Sequence, residues 1–162
     1  MTQTRSTMNV KKCVLKGVLA SAALIAAMGP RIAAAALGEP ETSVPTDVAA
    51  LRGSIKITEH ANYRSHEIQL PSGTVVREFA GSDGKVFAVA WSGPFVPNLR
   101  QTLGRYFDTY VAAAKSSHTG HTHLQIRQSD LVLQSGGHMR AFSGRAYLPQ
   151  AIPSGVDVGD LR

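Results

Sequence analysis

Three histidines stand close together in the segment His-Thr-Gly-His-Thr-His, at positions His118, His121 and His123. If this segment is a strand, His121 and His123 point to the same face, roughly 7 Å apart. Two imidazoles at that separation can bind one metal ion, with His118 or a carboxylate from a neighbouring strand as a third ligand. Imidazole ligands suit zinc or copper, so the spacing predicts a metal site. The alternative is a solvated connection between a helix and a strand.

A second group of residues predicts a pocket for an anion, and it consists of Trp91, His138, Arg140 and Arg145. A bulge at Ser143-Gly144 would bring both guanidinium groups to one face of their strand. Arginine binds carboxylates and phosphates in a planar, bidentate way, so the pocket would take a phosphate, a carboxylate or a sugar acid. The alternative is ordinary cross-strand ion pairing of these arginines with Glu67, Glu78 or Asp130.

A hydrolase triad can be assembled on paper from Ser143, His138 and Asp130. The Gly-x-Ser-x-Gly motif that positions a nucleophilic serine is absent from the sequence. His66 and Glu67 are adjacent, and adjacent strand residues point to opposite faces, so they do not form an acid–base pair. We therefore predict no catalytic residue, and keep a small hydrolase as an alternative.

The elements that must position these residues are two sets of consecutive strands, separated by one long helix and preceded by a short one. Apolar spacing predicts a short helix over Thr46–Arg52, and Asn98 is expected to cap one long amphipathic helix that ends near Ser116. Period-2 patterns and turn residues predict the strands, which cover 54–59, 66–70, 74–80, 85–92, 121–127, 130–134 and 138–148. Gly136-Gly137 is expected to form a turn, and the tail after Pro149 to be loop.

This order predicts an α+β fold, with an antiparallel sheet of about five to six strands and one long helix packed on one face. The strand at 85–92 has apolar residues on both faces and is expected to be central in the sheet. The dinucleotide-binding and phosphate-loop motifs are both absent from the sequence.

The first 36 residues have the order of a secretory signal peptide. Met1–Gly17 is basic and without acids, Val18–Met28 is uninterrupted apolar sequence, and Ala33–Ala36 offers small residues for a peptidase. The apolar run is shorter than the roughly 20 residues of a membrane-spanning helix. We predict cleavage after Ala36, to within two residues, from a start at Met1 or Met8. The alternative is a short uncleaved anchor.

Removal of this leader changes the composition of what remains, residues 37–162. Five of the 17 Lys and Arg residues and none of the 11 acids lie in the leader, so the formal charge falls from +6 to +1. A net charge this small gives no support for nucleic-acid binding. The single cysteine, Cys13, also leaves with the leader, which excludes disulfides, thiol catalysis and zinc–cysteine sites from the mature domain.

Several segments resemble a family of exported proteobacterial proteins known as domain of unknown function 2844, and these are Ala36–Gly38, His66–Thr74, Val86–Pro94 and Gly136–Pro149. The resemblance covers nearly all of residues 37–162 and implies an exported protein of about this length. It implies no activity, cofactor or catalytic residue.

The sequence thus predicts a small exported domain, periplasmic or extracellular, that binds an anionic envelope component or a partner protein without catalysis. No cofactor is expected beyond the zinc or copper of the histidine cluster. Neither nucleic-acid binding nor a membrane span after leader cleavage is expected. A metal-binding protein and a small hydrolase are the alternatives.

Overall fold

Within the described residues, seven antiparallel strands form one sheet, in the spatial order β1 (Ser54–Glu59), β2 (Tyr63–Gln69), β3 (Val75–Gly81), β4 (Val86–Gly93), β7 (Ala141–Tyr147), β6 (Val132–His138) and β5 (His123–Arg127). The computed structural model describes residues 37–116 and 123–162, so the predicted leader and two of the clustered histidines, His118 and His121, lie outside the described residues. The predicted α+β class and antiparallel pairing are confirmed, with seven strands instead of five or six.

The strand β4 lies at the centre of the sheet, as its two apolar faces predict. Residues Val86 to Trp91 are all buried, whereas every residue of the edge strand β1 is exposed. The pairing of β3 with β4 shifts register between Phe79 and Ala80, so Phe87 is an extra residue in β4. The sheet therefore bends here, at a bulge in its centre.

The hairpin between β6 and β7 differs from the prediction. β6 continues through Gly136-Gly137 to His138, and the chain turns at Met139-Arg140, with Arg140 in the left-handed region at a φ of 64°. The predicted turn at Gly136-Gly137 is therefore wrong, and so is the predicted bulge at Ser143-Gly144, because both residues pair in regular register. A Cβ on Gly137 would come within 2.3 Å of the Ala141 carbonyl oxygen, so close strand contact explains this glycine.

The helices are α1 Val44–Leu51, α2 Leu99–Leu103 and α3 Phe107–Ser116. Asn98 caps α2 as predicted, since its side chain accepts a hydrogen bond from the Gln101 amide at 3.3 Å. The predicted single long helix is interrupted at Gly104, whose φ of 51° lies outside the helical region, and a 3-10 turn over Gly104–Tyr106 joins α2 to α3.

The two faces of the sheet carry separate cores. On the face covered by α1, α2 and α3, here the helix face, the buried residues include Ile68, Val76, Val89, Trp91 and Leu133. The other face, here the tail face, packs Phe79, Phe87, Ala88 and Ala90 against the C-terminal segment Ile152–Leu161. That segment holds only 3-10 turns, as its prolines and glycines predict, but Leu161 is 1% exposed.

All described residues belong to the compact unit Ala33–Arg162. Within residues 37–116 and 123–162, no helix has the length and apolar character needed to span a membrane.

Candidate ligand-binding site

A row of polar side chains crosses the tail face from β3 to β5. Successive pairs in direct register are Arg77–Ala90, Ala90–Arg145, Arg145–Gln134 and Gln134–Gln125. Directly opposed residues in antiparallel strands point to the same face. The two arginines are therefore separated by one strand whose side chain at this level is only a methyl group.

Each arginine is held in place by two hydrogen bonds. Arg145 donates through Nε to Gln134 Oε1 at 3.0 Å and through Nη1 to the Val158 carbonyl at 2.8 Å. Arg77 donates through Nε to Glu67 Oε2 at 2.8 Å and through Nη1 to the Arg162 carbonyl at 3.0 Å. The pair thus fixes the C-terminal segment on either side of Leu161, and it keeps both guanidinium planes oriented.

The next row across the tail face has small side chains. Ser92 pairs with Ser143, Ser143 with Gly136, and Gly136 with His123. These residues form the floor of an open trough, bounded on one side by the polar row and on the other by the β6–β7 hairpin, where His138 pairs with Ala141.

This trough belongs to a cavity of about 1370 Å³. Among the described residues, its charged and titratable lining consists of Arg77, His123, His138, Arg145 and Arg162, with no Asp or Glu. Its uncharged polar side chains are Ser92, Ser116, Ser135, Ser143, Gln125 and Gln134, of which Ser116, at the end of α3, and Ser135 lie on the helix face. A cavity lined by positive groups and hydrogen-bonding side chains can bind an anion.

Three of the four residues predicted for the anion pocket line this cavity: Trp91, His138 and Arg145. Arg140 does not, because it occupies the hairpin turn as an exposed residue. Among the described residues, neither Arg140 nor Arg145 forms an ion pair with a carboxylate. Sequence reasoning missed Arg77, because Arg77 and Glu78 are both charged and the pattern of β3 does not indicate which of them faces the cavity.

Trp91 lines the cavity from the helix face, opposite to the face of Arg145. Its register partner is Gly144, and a Cβ on Gly144 would lie 2.2 Å from Trp91 Cζ2. The indole therefore covers the glycine directly, which explains why this strand position carries no side chain. Its Nε1 is buried without a hydrogen-bond partner among the described residues.

The histidine cluster is only partly described. His123 begins β5 with an exposed side chain and lines the cavity, whereas His118 and His121 lie outside the described residues. Within residues 37–116 and 123–162, no group of three or more His, Cys, Asp or Glu side chains is arranged to hold a metal ion.

The hydrolase triad considered from the sequence, Ser143, His138 and Asp130, is not formed in the structure. Ser143 and His138 both line the cavity, but Asp130 lies in the β5–β6 connection, at the opposite end of β6 from His138. Seven residues of strand separate the two ends, roughly 20 Å. The carboxylate therefore does not orient this imidazole.

A buried polar cluster under α1 escaped sequence reasoning. Glu78 and Asp47 are 1% and 0% exposed, and Asp47 accepts a hydrogen bond from the Gln101 side chain. Burial, together with the neighbouring Asp47 carboxyl, raises the pKa of Glu78 to about 9. Glu78 therefore carries a proton at neutral pH. Alternating patterns place charged residues outward, so a carboxyl on an inward position gave no readable signal.

Next to this pair, His66 Nε2 lies 2.7 Å from Glu41 Oε1, and Arg64 bonds the same carboxylate. Burial by itself raises the pKa of Glu41, but the hydrogen bonds and charges of Arg64 and His66 outweigh it, so the pKa is lowered. His66 is 4% exposed beside Ile68, as its position on the apolar face predicts. These contacts link β2 to the segment that precedes α1.

Comparison with known proteins gives one match. A family model described as "Protein of unknown function (DUF2844)" matches residues 33–161. No curated protein and no solved structure matches the chain.

Proposed function

The chain belongs to the DUF2844 family of proteins of unknown function. We propose its role from its own geometry: a non-catalytic exported domain that binds an anionic ligand in the part of this cavity that lies on the tail face. The observation that carries this proposal is the cavity lining, in which Arg77, Arg145 and Arg162 occur with two histidines and with no Asp or Glu among the described lining residues. Glu67, outside the lining, pairs with Arg77 and leaves Arg145 without an ion pair among the described residues. An envelope component with carboxylate or phosphate groups fits this chemistry.

The fixed orientation of Arg77 and Arg145 also supports the binding of an anion. Arg77 and Arg145 each use Nε and Nη1 internally, and Nη2 has no hydrogen-bond partner among the described residues. A guanidinium that is already held loses little side-chain entropy when it binds an anion. The cavity is thus preorganised for a carboxylate or phosphate group.

The test is a titration of the purified protein with galacturonate and with inorganic phosphate, followed by calorimetry and by melting temperature. A ligand of the folded state raises the melting temperature by mass action. Arg145→Gln should weaken binding by about tenfold or more, the size of one lost charge-assisted contact. Arg140→Gln is the matched control, since it removes the same charge at the exposed turn. Equal effects of the two substitutions would show that only net charge matters and would overturn the assignment of the cavity.

Export is the second part of this proposal. It is supported by the basic, apolar and small-residue order of the first 36 residues, and by the full burial of Leu37, directly after the proposed cleavage site. Expression of the full chain in a Gram-negative host, with N-terminal sequencing of the envelope fraction, tests it. We expect a mature N-terminus within two residues of Leu37. Uncleaved protein in the cytoplasm would contradict export.

The metal site at His118, His121 and His123 remains a separate proposal. It is supported by their spacing and by the exposed position of His123 at the start of β5. Elemental analysis of the purified protein should find zinc or copper, and a chelator should lower its melting temperature. Protein that contains no metal and melts identically with zinc, copper or chelator would remove this alternative.

A further inference from the structure

We propose that the ligand is an acidic oligosaccharide that lies across β4, β7, β6 and β5 in the tail-face trough. This inference rests on the anion-binding function proposed above and names the class of ligand. It is carried by two properties of the trough, its length and its hydrogen-bonding groups.

The length of the trough exceeds what a small anion needs. Its floor runs through Ser92, Ser143, Gly136 and His123 in direct register, one residue from each of four adjacent strands. Neighbouring strands are about 4.8 Å apart, so the floor extends roughly 14 Å across the sheet. A phosphate group covers about one strand spacing, whereas a chain of three or four sugar rings covers the whole floor.

The polar row beside the floor presents mainly donors to the cavity. Glu67 Oε2 and Gln134 Oε1 already accept hydrogen bonds from Arg77 and Arg145. When the Gln125 amide is oriented with its oxygen toward Gln134, that oxygen accepts from Gln134 Nε2 at 3.2 Å. One oxygen each of Glu67, Gln134 and Gln125 is thus used internally, and guanidinium N–H groups remain for the carboxylates of a ligand.

The floor itself offers groups that both donate and accept. Ser92 and Ser143 are exposed, and each hydroxyl has one donor and two acceptor positions. A phosphate at neutral pH has mainly acceptor oxygens to offer, whereas sugar hydroxyls donate as well as accept. The combination of hydroxyls on the floor with arginines along one side therefore fits a polyhydroxylated anion.

A single-stranded nucleic acid is the other elongated anion to consider. Proteins bind its bases by stacking them on aromatic side chains. The described residues of the trough rows include no Phe, Tyr or Trp, and Trp91 lies on the helix face. The described rows of the trough therefore lack the stacking platform that bases need, which counts against a nucleic acid.

The experiment is calorimetry of the purified protein with five probes: tetragalacturonate, its fully methyl-esterified form, the galacturonate monomer, inorganic phosphate and oligothymidylate. We expect the tetramer to bind at least about tenfold more tightly than the monomer, because several contacts act together. The methyl ester keeps the shape and loses the charge, and it should bind at least about tenfold more weakly. Oligothymidylate of matched charge is the nucleic-acid probe and should bind more weakly than the tetramer.

Ser143→Phe fills the floor without changing charge and should weaken tetramer binding by about tenfold or more. The matched control is Thr58→Phe, an exposed strand position at the far edge of the sheet, which should leave binding unchanged. Circular dichroism and melting curves establish that both variants are folded, and Ser92→Leu repeats the test if Ser143→Phe is not.

Equal affinities for tetramer and phosphate, equal affinities for tetramer and oligothymidylate, or full binding by Ser143→Phe would each overturn this inference and leave the anion-binding function standing. Absence of binding by every anionic probe would overturn both.

Discussion

At the residue scale, the buried Glu78–Asp47 pair predicts an unusual dependence of stability on pH. The pKa of Glu78 rises from 4.5 to about 9 on folding, so between these values the folded state holds a proton that the unfolded chain has lost. Stability should therefore fall as the pH rises from about 4.5 to about 9. The lowered pKa of Glu41 acts in the opposite sense at more acidic pH, so that its contribution is lost as the pH falls below 4.5.

Glu78→Gln should flatten this dependence, because an amide at this position stays neutral and can donate to Asp47. At pH 8 we expect a gain of about 3–5 kcal/mol in the free energy of unfolding, because the parent protein must take up a proton when it folds at this pH and the amide variant need not. Urea denaturation from pH 5 to pH 9 measures it. Glu59→Gln, whose side chain is 70% exposed, is the control and should keep the parent pH profile. If the free energy of unfolding of Glu78→Gln varied with pH in the same way as that of the parent protein, the raised pKa of Glu78 would be contradicted.

A second residue-scale prediction concerns the contact between Gly144 and Trp91. Gly144→Ala should cost about 1–3 kcal/mol, because the new methyl group would lie 2.2 Å from the indole unless the ring moves. Ser143→Ala, on the exposed side of the same strand, should change stability little. The cost of Gly144→Ala should shrink in a Trp91→Leu background, and a double-mutant cycle in urea measures that coupling. Additive effects would show that the indole does not cover the glycine.

At the scale of elements, α1 ends with a non-glycine residue in the left-handed region. Arg52 is exposed and has a φ of 53° and a ψ of 35°. Arg52→Gly should stabilise the protein by about 1 kcal/mol, since glycine adopts this conformation without a Cβ clash. The melting temperature should rise by about 3–5 °C. Ala112→Gly, at an exposed position within α3, is the control and should cost about 1 kcal/mol. A loss of stability in both variants would contradict the left-handed conformation of Arg52 at the end of α1.

The sequence predicted the elements of this fold better than their junctions. Apolar residues on both faces identified β4 as central, and the capping-box spacing of Asn98 and Gln101 identified Asn98 as a cap. Glycine was the main source of error, because one residue type serves turns, breaks and close contacts. Gly137 was interpreted as a turn but allows close approach to Ala141, while Gly104 interrupts the helix. Only the three-dimensional neighbours of a glycine distinguish these roles.

The candidate site shows the same limit. Trp91, His138 and Arg145 were selected as residue types that bind anions, and the structure brings them to one cavity. Their arrangement could not be predicted, because the register places Trp91 beside Gly144 and Arg145 beside Ala90, on opposite faces. Arg77 is on a different hairpin and joins Arg145 only through the strand order of the complete sheet.

At the scale of the whole molecule, the two faces of the sheet are shielded from solvent by two different kinds of structure. Helices cover one face, while the tail face is closed by a segment without long helices or strands, attached through Arg77 and Arg145 and through the buried side chain of Leu161. A β-sheet whose two faces are both apolar needs both covers to bury its core. The C-terminal segment is therefore part of the structural core, although its composition is that of a loop.

Leu161→Ala tests this role of the segment. Removal of a fully buried leucine side chain should lower the free energy of unfolding by about 2–5 kcal/mol, and it should increase hydrogen exchange in β3 and β4 under the segment. Val96→Ala, at a position that is 45% exposed, should cost less than about 0.5 kcal/mol. If Leu161→Ala is as stable as Val96→Ala, the segment is a loosely attached tail, and the two arginines that hold it are then free to rearrange around a ligand.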